Sequence, residues 1–110
     1  MHLTATLTSS AATAVPLTLT DGTARGLAGL LLDLDVISSV DTSVAFSISD
    51  ETGVVFTITS TDFTTITKYK NGDSAIVRNS VTGQLKATAT GLGSGTLIIN
   101  AWVKPDRPVG

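Results

Sequence analysis

The sequence predicts an all-β fold: a single-domain antiparallel β-sandwich, jelly-roll or immunoglobulin-like, of eight or nine short strands. Three observations carry that expectation. Segments such as Val44-Ala45-Phe46-Ser47-Ile48-Ser49, Val54-Val55-Phe56-Thr57-Ile58-Thr59 and Gln84-Leu85-Lys86-Ala87-Thr88-Ala89-Thr90 set apolar side chains on one face and small polar ones on the other. Strands half buried in an antiparallel sheet read this way. Turn signals recur about every 8–12 residues, the spacing of sandwiches and barrels. Finally, charged residues are only 15% of the chain, against about 25% in soluble domains. Thr and Ser supply the polarity instead, and β-branched Thr suits a pleated surface.

Leu3-Thr4-Ala5-Thr6-Leu7-Thr8 alternates cleanly and makes the first strand. Residues 9–13 are a small-residue connection. Val15, Leu17 and Leu19 alternate with Pro16, Thr18 and Thr20, and Pro16 assigns that strand to an edge or a strand start. Asp21-Gly22 marks a turn. Residues 24–37 are Leu-rich, but Gly26 and Gly29 would each cost about 1 kcal/mol inside a helix. Leu30, Leu32, Leu34 and Val36 share one parity and Asp33 and Asp35 the other, so the stretch reads as a long central strand. Strands over 44–49 and 53–59 follow, joined by the tight turn Asp50-Glu51-Thr52-Gly53. A shorter strand at 64–68 closes on Asn71-Gly72-Asp73, a pair of residues that accept positive φ. A brief strand at 75–78 ends at Val81-Thr82-Gly83, and strands 85–90 and 96–104 form a last hairpin across Gly91-Leu92-Gly93-Ser94-Gly95. Residues 1–104 therefore make one β-sandwich domain. Residues 105–110 form a tail whose two prolines bar it from extending the last strand.

Composition excludes several functions. Net charge is −2, and no Lys/Arg stripe offers a nucleic-acid footprint. Lys68, Lys70 and Arg78 read as solvated residues near a turn. The absence of cysteine removes disulfides and thiolate metal sites. Met1-His2-Leu3-Thr4 does not start a signal peptide, and no apolar run approaches the ~18 residues of a membrane span. The expectation is a soluble protein made in a cytoplasm. A surface so poor in charge repels neighbours weakly, which suits a protein packed against others.

Asp33 and Asp35 lie on one strand face about 7 Å apart. They could support acid–base or metal chemistry, but with no accompanying His, Asn or Glu cluster they read as solvent-facing charges that discourage edge pairing. Asp50-Glu51 reads as an ordinary acidic turn. His2, the single histidine, sits beside Met1, where chain ends are often mobile. Gly91-Leu92-Gly93-Ser94-Gly95 has the glycines of a phosphate loop but no helix or Lys after it, and it does not make a nucleophile elbow. Trp102 and Ile98 lie on the parity opposite Leu97, Ile99, Ala101 and Val103. If the odd positions face the core, Trp102 is an outward contact residue. The expectations are no enzyme activity, no cofactor and no metal.

Three stretches resemble a recurring type of small bacteriophage virion protein. Residues 25–36, Arg-Gly-Leu-Ala-Gly-Leu-Leu-Leu-Asp-Leu-Asp-Val, resemble its long early strand. Ser43-Val44-Ala45-Phe46-Ser47-Ile48-Ser49-Asp50 resembles the next strand with its acidic turn. Residues 83–91, with Gly95-Thr96-Leu97-Ile98-Ile99, resemble its closing hairpin. The pattern covers residues 1–104 in order and is not a signature motif. It departs from the commonest form after the acidic turn, where Gly53-Val54-Val55 replaces an aromatic. The resemblance implies a β-sandwich carried on the virion as a capsid cement or decoration subunit, bound as a homotrimer to major capsid protein or another virion protein. It carries no catalytic motif. The alternatives are a tail or head-fibre binding module and a carbohydrate-binding module, the latter requiring a coplanar strip from Trp102 and Tyr69. Candidate protein contacts are Ile98 and Trp102, with Pro105, Asp106, Arg107 and Pro108 as an arm that docks on a neighbour.

Overall fold

Side-chain alternation requires each sheet to turn one face to a partner, and two sheets do so here. The computed structural model describes residues 1–24, 26–38, 43–62, 66–70, 76–93 and 95–105. Nine strands form among the described residues: β1 (His2–Thr8), β2 (Val15–Pro16), β3 (Leu27–Ser38), β4 (Ser43–Asp50), β5 (Gly53–Asp62), β6 (Ile66–Lys70), β7 (Ser80–Gly83), β8 (Lys86–Thr90) and β9 (Thr96–Pro105). No helix occurs among the described residues. One sheet has the order β1-β9-β3-β6, with β7 following β6 along the same side of β3; the other has the order β2-β8-β4-β5. Every strand pair is antiparallel. β1 pairs with β9, β2 with β8, β3 with β6 and β4 with β5, while successive strands up to β4 alternate between sheets. That nesting is the jelly-roll order, and it selects between the two sandwich types expected from the sequence.

The interior receives one row from each strand: Leu3, Ala5 and Leu7 from β1, Leu34 and Val36 from β3, Val44, Phe46 and Ile48 from β4, and Leu97, Ile99, Ala101 and Val103 from β9. Phe56 of β5 spans the gap. Its ring centroid lies 5.1 Å from that of Phe46 in its own sheet and 4.8 Å from that of Tyr69 in the other, the latter edge-on.

The structure corrects several expectations. β3 is the long central strand expected, but its parity breaks at a bulge between Leu31 and Asp33. Leu31 is buried and Leu30 is 40% exposed; the even-numbered row faces inward only from Leu34 onward. A bulge in β5, between the pairs Ile48↔Phe56 and Ser49↔Val54, likewise puts the adjacent Val55 and Phe56 both inside and leaves Val54 out. No strand forms at 76–78. Ile76 makes one isolated bridge to Phe56, and the main chain then turns so that the N–H groups of Val77 and Arg78 both donate to the carbonyl exposed at the Val55 bulge. Val81-Thr82-Gly83, read as a turn, belongs to β7, because Val81 is buried opposite Gly29 of β3. Strands β8 and β9 are not a hairpin. They belong to different sheets, and the linker buries Leu92 while Gly91 and Gly93 take φ of 87° and 57°. β9 runs through Pro105, which pairs with Gly29 beyond the end of β1, where no neighbour needs its missing donor. The turn at Asn71-Gly72-Asp73 and the tail residues Asp106, Arg107 and Pro108 lie outside the described residues.

Asp50 ties the two sheets together. Its carboxylate is fully buried and takes a bidentate pair from Arg78, Nη2 to Oδ1 at 2.8 Å and Nη1 to Oδ2 at 2.9 Å. It also accepts from the N–H of Thr82 on β7 (2.9 Å), and from the N–H and hydroxyl of Thr52 and the N–H of Gly53 in the β4–β5 turn. Arg78, and then the Thr82 and Thr52 donors, hold the carboxyl well below the usual carboxylate range, outweighing the opposing effect of burial. A depressed folded pKa contributes stability above the unfolded value of about 3.9, and that stability is lost as pH falls through the folded value. Asp50→Asn leaves Arg78 without its charge partner and should cost about 3 kcal/mol at neutral pH in urea unfolding. The gap to the parent protein should narrow below about pH 4; a gap independent of pH would refute the role of the charge.

Close approach at Gly29 gives a second test. A Cβ there would sit 2.4 Å from the Lys104 carbonyl oxygen, whereas one at Gly26 would meet nothing nearer than 3.5 Å. Gly29→Ala should lower stability by about 1–3 kcal/mol, and Gly26→Ala by no more than about 0.5 kcal/mol. Equal urea midpoints for the two variants would contradict the register of β3 on β9.

Candidate functional site

With the odd positions of β9 in the core, Thr96, Ile98, Asn100 and Trp102 stand on the outer face of the five-stranded sheet, each half-buried. Register aligns the last three with residues of neighbouring strands in three rungs. Thr6, Ile98 and Ile37 form an apolar rung. Thr4, Asn100, Asp35 and Lys68 form the next, and His2, Trp102, Asp33 and Lys70 the third. The bulge in β3 is what brings Asp33 opposite Trp102.

The side chains of β1 and β9 lock together. The rings of His2 and Trp102 stack at 4.9 Å and 5°. His2 Nε2 is 2.8 Å from Asn100 Oδ1, and since a carboxamide oxygen only accepts, His2 is the donor. On the far side of β3, Lys68 Nζ lies 3.9 Å from Asp35 Oδ2, a long and solvated pair. Asp33 is exposed and has no hydrogen bond or ion pair with any described residue.

Between these groups lies a trough of about 310 Å³ bounded by Asp33, Asp35, Lys68, Tyr69 and Trp102. His2 does not bound it; the imidazole backs one face of the indole, and the trough opens on the β3 side. An aromatic wall, two carboxylates and an ammonium at the far edge make a surface for recognition. The outer face of the other sheet differs in kind. Its depression of about 220 Å³ is lined, among the described residues, by uncharged side chains: Ala45, Ser47, Thr57, Thr88 and Thr90 with Phe46 and Ile58.

Trp102 and Ile98 stand outward as the parity of β9 required. Pro105, expected in a free tail, ends β9. Tyr69 does not join Trp102 in a coplanar strip, because its ring packs edge-on against buried Phe56. Sequence reasoning set aside three groups that matter. His2 is part of β1, and the alternation starting at Leu3 was the available signal. Asp33 and Asp35 were correctly placed outward, but their position beside Trp102 depends on β3 lying next to β9, which no local pattern shows. Among the described residues no group of three or more His, Asp or Glu side chains is arranged to hold a metal ion. In comparisons with known proteins, no protein-family model and no curated protein matches the chain.

The stacked pair predicts a spectroscopic effect. Trp102 is the single tryptophan, so His2→Ala should shift its emission to the red and raise its quenching by acrylamide, at a stability cost of about 1 kcal/mol or less. Unchanged quenching would show that the imidazole does not shield the indole.

Proposed function

We propose that the protein is a non-enzymatic structural component of a bacteriophage virion, a capsid cement or decoration subunit that stabilises the head by binding major capsid protein. The observation that carries this reading is the outer face of the five-stranded sheet, where Trp102, Ile98 and Ile37 stand half-buried beside Asp33, Asp35 and Lys68. Large aromatic side chains on such a surface are the usual anchors of protein contacts. The nested jelly-roll order adds support by analogy, since capsid proteins use it, although lectin domains do also. The resemblance of residues 1–104 to small virion proteins points the same way.

The mechanism is area multiplied by symmetry. Apolar burial contributes about 25 cal/mol per Å², and a homotrimer presents three copies of the face to neighbouring capsid subunits, so weak single contacts sum to firm attachment. A tail or head-fibre binding module is the second reading, favoured by the trough beside Trp102. Co-sedimentation with undecorated heads separates the two. The intact protein should pellet with heads saturably, and Trp102→Ala and Ile98→Asp should each weaken attachment about tenfold or more while leaving the fold intact. Failure of the intact protein to bind heads, with binding to host cell envelopes instead, would favour the module.

A further inference from the structure

We propose that the trough beside Trp102 receives an arginine side chain from a partner protein, its guanidinium stacked on the indole and paired with Asp33. The proposal rests on the reading of this face as a protein-contact surface and names the chemistry of the contact.

Trp102 on β9 and Lys68 on β6 stand on either side of β3, two strand spacings across and one rung along, about 12 Å apart. That width admits one flat group lying against the indole. His2 already covers the other face of Trp102 and fixes the ring's orientation, so the wall needs no reorganisation on binding. On the floor, Asp35 is already engaged by Lys68. Asp33 is exposed and without a hydrogen bond or ion pair among the described residues. A carboxylate with no partner among the described residues, directly beside an aromatic face, calls for a cation. Guanidinium meets both demands together, since it stacks on the ring and gives a carboxylate two parallel N–H bonds. An ammonium would satisfy the charge but not the flat wall. A sugar would use the wall but gain little from an unneutralised carboxylate. Lys70 stands opposite Asp33 in register.

The test uses the intact chain, following the indole N–H resonance of its single tryptophan by NMR. Nα-acetyl-arginine amide should shift this resonance saturably, more strongly than the lysine amide, and added salt should weaken the effect. Asp33→Asn should weaken the response about tenfold or more, a loss typical of a charge-assisted pair, with an unchanged urea midpoint. A response to methyl hexosides but not to the arginine probe would overturn the proposal, as would an arginine response insensitive to Asp33→Asn. If the protein co-sediments with heads while the arginine probe gives no shift, the arginine contact is rejected and the structural role stands. If the probe binds as expected but heads do not, the trough keeps its ligand and the partner lies elsewhere.

Discussion

The buried carboxylate of Asp50 joins the two sheets by something other than apolar contact. It ends β4, caps the β4–β5 turn through Thr52 and Gly53, and reaches across to Arg78 and the Thr82 amide of the opposite sheet. Fixing Arg78 in turn sets the irregular segment before β7. The Arg78 guanidinium also donates to the carbonyls of Ser80 and Gly53, so the start of β7 and the start of β5 share one donor group. A buried charge is tolerable only when its hydrogen-bonding capacity is filled, and here both oxygens are. The apolar interior supplies cohesion, but it is indifferent to a small slip of one sheet over the other. The Asp50–Arg78 contact is specific about that alignment.

Much of the fold was legible because alternation is a local property. β1, β4 and the inward row of β9 follow directly from their apolar parity, and the two-residue link between β4 and β5 follows from Asp50-Glu51-Thr52-Gly53. What could not be read depends on the third dimension. The bulges at Leu31/Asp33 and at Val55 each move one residue to the other face with no local signature. Gly91–Gly95 has the composition of a hairpin loop but carries the chain from one sheet to the other, because β9 finds its partners in β1 and β3. Asp50 looked like any turn acid, since Arg78 is distant in sequence. The same holds for the site: Trp102 could be placed outward from its own strand, while its neighbours His2 and Asp33 are supplied by pairing across the sheet.

The two outer faces divide the labour. Among the described residues the four-stranded sheet presents mostly hydroxyls on its outer face, with Lys86 at the start of β8. The five-stranded sheet presents Ile98, Asn100 and Trp102 in a line down its central strand β9, with carboxylates on one flank and His2 on the other. Strand positions hold side chains more rigidly than loops do, so a contact here loses little entropy on binding. The bulge in β3 serves this arrangement directly, since without it Asp33 would not stand opposite Trp102.

Hydroxyl-radical footprinting of the protein free and bound to undecorated heads tests most directly whether this face is the contact. The account predicts that oxidation of Trp102 falls on binding while that of Val54 and Val77, exposed by 45% and 58% away from the rungs of this face, stays the same. Protection of Val54 and Val77 with Trp102 unchanged would contradict it.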